Sequence, residues 1–153
     1  MKACSLILKD LKATEQCASA LAQKIKTPMR IYLKGEIGTG KTSFARALLR
    51  ALGVEGSIQS PTFTLMVSYA VGSLIIYHFD LYRLETGTDL EALNFREYFE
   101  DLALILVEWP EQAQGILPPP DLLLEFTPFH TGIKIVAHGN VSFLNDSVDR
   151  SSP

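Results

Sequence analysis

Apolar positions follow two rhythms along this chain, and they alternate. Short apolar runs at Ser5–Leu8, Met29–Lys34 and Leu102–Val107 read as strands, the last of them continuous enough to be covered on both faces. Between them, Lys12–Lys26 places Ala13, Cys17, Ala20, Leu21 and Ala22 near helical spacing, with Thr14 the expected cap. A second helix is predicted from Lys41 to Leu52, with Phe44, Ala45, Leu48 and Leu49 inward and Gly53 ending it. Phe63–Tyr69 and Ser73–Phe79 flank Val71-Gly72 and predict a hairpin. Thr88–Phe99 is helical with a break near Asn94. Pro118-Pro119-Pro120 fits neither helix interior nor central strand, so it is a rigid connector. Asp121–Phe126 and Ile133–Ala137 predict a second hairpin, and the Ser-, Asn- and Asp-rich stretch from Asn140 a frayed tail. Alternating strands and helices make this an α/β fold, and residues 1–139 are expected to form one domain.

The turn between Met29–Lys34 and Lys41–Leu52 carries the chemistry. Gly35-Glu36-Ile37-Gly38-Thr39-Gly40-Lys41-Thr42 fits GxxxxGK[ST]. Average residue frequencies give such a match by chance in about one chain of this length in 200. Here it also follows a strand and opens a helix, the context a phosphate-binding loop requires. Glycines let successive N–H groups turn inward around phosphate oxygens, and the helix N-terminus adds its positive dipole end. Glu36, Ile37, Gly38, Thr39, Gly40 and Ser43 complete the expected nucleotide cradle. Lys41 is expected to reach the β- and γ-phosphates, and the Thr42 hydroxyl to bind Mg²⁺.

A phosphate loop needs an acidic group at the end of a neighbouring strand. Two strands end that way, Ser73–Phe79 at Asp80 and Leu102–Val107 at Glu108. Thr62, in Ser60-Pro61-Thr62-Phe63, suits a switch threonine that senses the γ-phosphate. Trp109 is the sole tryptophan and follows Glu108 directly; a core place, a pocket wall and a partner anchor are all open to it. His78 alternates with Phe79 and so shares the face of Asp80, as a core histidine or one behind the site. Arg83, three residues past Asp80, falls on the opposite face unless the chain turns after Asp80.

Composition narrows the class. Of 153 residues, 47% are hydrophobic and the formal net charge is −3, which opposes disorder and opposes direct gripping of nucleic acid. Cys4 and Cys17 form no CxxC pair, which argues against structural zinc and fits a reducing, cytoplasmic compartment. No apolar run approaches the roughly 18 residues of a membrane span. No guanine-reading NKxD motif is present. A small-molecule kinase remains the competing class, but it usually needs an arginine-bearing lid. From Glu97 to Asp149 there is no arginine, and Lys134 is the only lysine.

The order G-E-I-G-T-G-K-T, S-P-T-F, H-F-D-L-Y-R and E-W-P-E resembles the bacterial TsaE (YjeE) family, from about residue 5 to residue 139. The resemblance implies a three-layer P-loop sandwich with a mixed, mainly parallel central sheet and antiparallel hairpins. It implies ATP binding and hydrolysis with Mg²⁺; the arginine-free stretch and the negative formal charge predict that the chain alone hydrolyses ATP poorly. It also implies action on a complex of a TsaD-like threonylcarbamoyl transferase and a TsaB-like protein, which modifies the adenosine beside the tRNA anticodon. Carried over by motif, Lys41 and Thr42 hold phosphate and Mg²⁺, and Thr62 is the switch threonine. Asp80 and Glu108 serve the metal or attacking water, and Trp109 stands near the nucleotide. Lys134 departs from the arginine that many relatives carry there, which weakens a forked contact. With its acidic balance, the chain is expected to reach tRNA only through partners.

Overall fold

The computed structural model describes residues 3–61, 64–85 and 87–139. A mixed seven-stranded sheet has the order β1-β7-β6-β2-β5-β4-β3. Its strands are β1 (Ala3–Leu8), β2 (Met29–Gly35), β3 (Met66–Val71), β4 (Leu74–Asp80), β5 (Leu104–Glu108), β6 (Leu122–Phe129) and β7 (Gly132–Gly139). The four central strands β6, β2, β5 and β4 run parallel. Hairpins β3–β4 and β6–β7 pair antiparallel, and β1 adds antiparallel to β7. The helices are α1 (Leu11–Ala22), α2 (Lys41–Ala51), α3 (Gly87–Ala92) and α4 (Phe95–Glu100).

Alternate residues of the central strands feed two cores, as strand pleating requires. Ile31, Leu33, Ile76, Leu104 and Leu106 pack with Leu21 of α1 and with Phe44, Leu48 and Leu49 of α2. Tyr32, Phe79, Ile105 and Val107 pack with Leu90, Phe95 and Phe99 of α3 and α4. All five residues of β5 are buried, as its unbroken apolar run predicts.

Several boundaries differ from expectation. Asp10, not Thr14, caps α1: its carboxylate accepts from the Ala13 N–H at 2.9 Å. The Thr14 hydroxyl instead donates to the Asp10 carbonyl, inside the first turn. That helix stops at Ala22 rather than Lys26, and the amides of Lys24 and Ile25 close a tight turn on Leu21 and Ala22. Pro28 lies just beyond and cannot continue it. Leu102 is 75% exposed and outside β5. The break in Thr88–Phe99 is real: Asn94 is left-handed, φ 61°, and separates α3 from α4. Thr62, Phe63 and the tail from Asn140 lie outside the described residues.

Candidate phosphate-binding site

The loop from β2 to α2 is shaped by glycines, Gly40 through its backbone conformation and Gly35 through lack of space. Gly40 caps α2 in the left-handed region, φ 90°. A Cβ on Gly35, φ 154°, would stand 2.6 Å from the Phe126 carbonyl oxygen of β6. Ile37, Gly38, Thr39, Gly40, Lys41, Thr42 and Ser43 line a cleft of about 490 Å³ together with Asp80, Tyr82 and Trp109. Glu36 contributes its carbonyl, which accepts from the Thr39 hydroxyl and from Lys41. A larger cleft of about 610 Å³ between α1 and α2 holds only Ser43 of the predicted set.

Lys41 is 4% exposed, and its Nζ donates to the carbonyls of Gly35 and Glu36. The ammonium sits 4.0 Å from the centre of the Trp109 ring, a cation–π distance. Burial pushes its pKa below the ordinary lysine value, while Glu108, Glu111, Asp80 and Glu36 pull it back. Trp109 tilts over Tyr82, ring centres 5.0 Å apart, so it is a wall of the cleft. Its backbone is left-handed, φ 60°, and Pro110 starts a short 3-10 turn after it.

Behind the loop, the Thr42 hydroxyl donates to Glu108 Oε1 at 3.1 Å. Asp80 lies beside Glu108 in register on the next strand, and its carboxylate accepts from the Tyr82 N–H at 3.0 Å. That contact folds the chain back after β4, so Arg83 follows a turn and the opposite-face expectation, which assumed an extended strand, does not apply. Thr42 and the two carboxylates offer hard oxygens, the donor set Mg²⁺ prefers, and too few to enclose it without phosphate and water. No cluster of three His, Cys, Asp or Glu suited to a metal occurs among the described residues. Sequence reading placed His78 near the site but missed its partner: Nε2 lies 2.7 Å from Glu108 Oε2. Glu111 went unassigned, yet its carboxylate acts on Lys41, and one of its oxygens is buried without a hydrogen bond among the described residues.

The profile of the family described as "Threonylcarbamoyl adenosine biosynthesis protein TsaE" matches residues 8–133. The chain belongs to the TsaE family. TsaE proteins take part in tRNA threonylcarbamoyladenosine biosynthesis. The TsaE of Haemophilus influenzae is 40% identical over 72% of each chain, and that of Synechocystis 43% identical over 69% of each. The crystal structure of Bacillus subtilis YdiB superposes with a TM-score of 0.73 at 27% identity, covering 89% of this chain and 84% of that one. No described helix is long and apolar enough to cross a membrane.

Proposed function

We propose that this TsaE-family chain is a Mg²⁺-dependent ATPase. It works in the cytoplasm on a TsaD-like threonylcarbamoyl transferase paired with a TsaB-like protein, and it meets tRNA only through them. The observation that carries the reading is the contact between Thr42 and Glu108, which joins the phosphate loop to a buried strand-end carboxylate. Loop amides and Lys41 bind the phosphates; Lys41 exchanges its two backbone carbonyls for phosphate oxygens. Thr42 and Glu108 would hold Mg²⁺, which supplies neutralising charge at the phosphate oxygens. Asp80 and Glu108 orient the water that attacks the γ-phosphorus; as the new P–O bond forms, the bond to ADP breaks and a carboxylate takes the proton.

Lys41 is the only lysine or arginine lining the cleft among the described residues. Charge developing on the γ-phosphoryl group therefore needs more help, from a partner cation or from Arg83 beyond its turn. A cation in trans raises such rates by roughly 10³–10⁵. The test is steady-state ATP turnover by the chain alone, with the transferase pair, and with Arg83→Ala in both settings. Slow turnover alone and fast turnover with the pair is expected. Fast turnover by the isolated chain, indifferent to partners, refutes the partnered ATPase. Preference for guanine nucleotide refutes the ATP assignment.

A further inference from the structure

His78 stands on β4 two residues before Asp80, on the same face as Ile76 and Asp80. Its register neighbour on β5 is Leu106, two residues before Glu108. The imidazole therefore reaches diagonally forward along the sheet to Glu108 Oε2, at 2.7 Å. Both side chains are almost wholly buried, 4% and 2% exposed. With Glu108 ionised the carboxylate can only accept, so Nε2 carries the proton. The other nitrogen, Nδ1, has no hydrogen-bond partner among the described residues. A buried polar ring with one nitrogen unused is a poor choice for packing alone, because the orphan nitrogen costs free energy.

Glu108 is thus held at both oxygens, Oε1 by Thr42 and Oε2 by His78. The two clamps are not equal. The Thr42 hydroxyl belongs to the phosphate loop and would turn to Mg²⁺ if the loop held it. The His78 contact lies inside the sheet, between two almost wholly buried side chains.

The geometry points to His78 as the positioning residue of the reaction: it fixes the Glu108 carboxylate in one orientation, with Oε1 toward Thr42, when the threonine turns to the nucleotide. This rests on the ATPase reading above. A ring donor that orients a reacting carboxylate changes the rate of the chemical step more than the affinity for substrate, since the loop amides that bind phosphate are untouched.

Three variants of the full chain test it: His78→Leu, which removes the donor; His78→Asn, whose shorter amide falls short of Glu108; and His78→Gln, whose amide N–H reaches the place of Nε2–H. Each is compared with wild type and Glu108→Ala for MgATP affinity and turnover, with and without the transferase pair, after thermal unfolding confirms a folded chain. We expect unchanged nucleotide affinity, kcat lower by about 10- to 100-fold in His78→Asn and His78→Leu, and most of that loss restored in His78→Gln. If His78→Leu does not fold, the Asn and Gln pair carries the comparison. Wild-type kcat in His78→Asn, or His78→Gln as slow as His78→Asn, overturns the role. So does a loss that falls on affinity alone. A slow Glu108→Ala beside wild-type rates at position 78 overturns only this inference. No turnover by wild type in any setting refutes the ATPase reading, and this inference with it.

Discussion

Asp80 and Glu108 end neighbouring parallel strands as direct register partners, and both are buried, 4% and 1% exposed. Parallel strands lie about 4.8 Å apart, so two carboxylates share one edge of the phosphate loop. Like charges side by side in a buried place are costly unless a cation joins them. Lys41 supplies part of that charge from α2, and on the proposed reading a metal held at the loop would supply more.

Removing either carboxylate should therefore stop the chemistry before it stops binding. Asp80→Ala and Glu108→Ala are expected to lower ATP turnover by about 10²–10³, the usual effect of losing one preorganised group. Nucleotide affinity should survive, because the loop amides remain. Turnover with the transferase pair and calorimetric binding read the two effects separately. Wild-type turnover in either variant makes that carboxylate a bystander.

Lys41→Met is expected to abolish measurable nucleotide binding in calorimetry, since the cation that faces the phosphates is gone. The same change should leave the nucleotide-free chain folded, because a buried ammonium gives way to an apolar chain of similar length. Retained affinity in this variant would remove the phosphate-loop assignment.

The lowered pKa of Lys41 gives a pH dependence with a definite sign. Between its folded pKa and the ordinary 10.5, the unfolded chain binds the proton and the folded chain does not. The stability of the nucleotide-free fold therefore gains from Lys41 as pH rises through that window; below it the burial penalty is present in full. Nucleotide favours the charged amine, so affinity should fall over the same range. Thermal midpoints of wild type minus those of Lys41→Met, measured across alkaline pH, should climb. A flat or falling difference contradicts the assignment.

Gly35→Ala tests the fit between β2 and β6. The added methyl meets the Phe126 carbonyl at 2.6 Å and the Thr39 hydroxyl at 2.9 Å, and backbone cannot yield cheaply. A loss of about 1–3 kcal/mol is expected from such overpacking. Denaturant unfolding measures it, and an unchanged midpoint would show that the two strands separate freely there.

Local chemistry was the legible part of the sequence. The glycine loop, the strand before it, the helix after it and the two strand-end carboxylates are all written in adjacent residues, and the structure brings them to one place. Asn94 announced its helix break because asparagine tolerates the left-handed region. What local pattern does not encode is which strands meet. Nothing in Asp121–Phe126 says that this segment pairs with the phosphate-loop strand on the side away from β5, or that β1 closes the sheet beyond β7. The contact between His78 and Glu108 depends on the pairing of β4 with β5, so spacing alone could place His78 near the site but not against its partner. The cap of α1 was missed for a simpler reason: Asp10 and Thr14 are both good caps, and only geometry chooses between them.

The sheet is a bulkhead between two compartments. His78, Asp80 and Glu108 all face the side of α2, while the opposite compartment is filled with Phe79, Phe95, Phe99 and their neighbours. Substitutions there can alter stability without a side chain ever touching the reaction, which leaves that compartment open to drift. Trp109 is the exception. It packs against the aromatic compartment and also covers the Lys41 ammonium. A disturbance among the aromatics that shifts this one indole reaches the Lys41 ammonium directly, so among the described residues the bulkhead has a single hatch, and the tryptophan is its door.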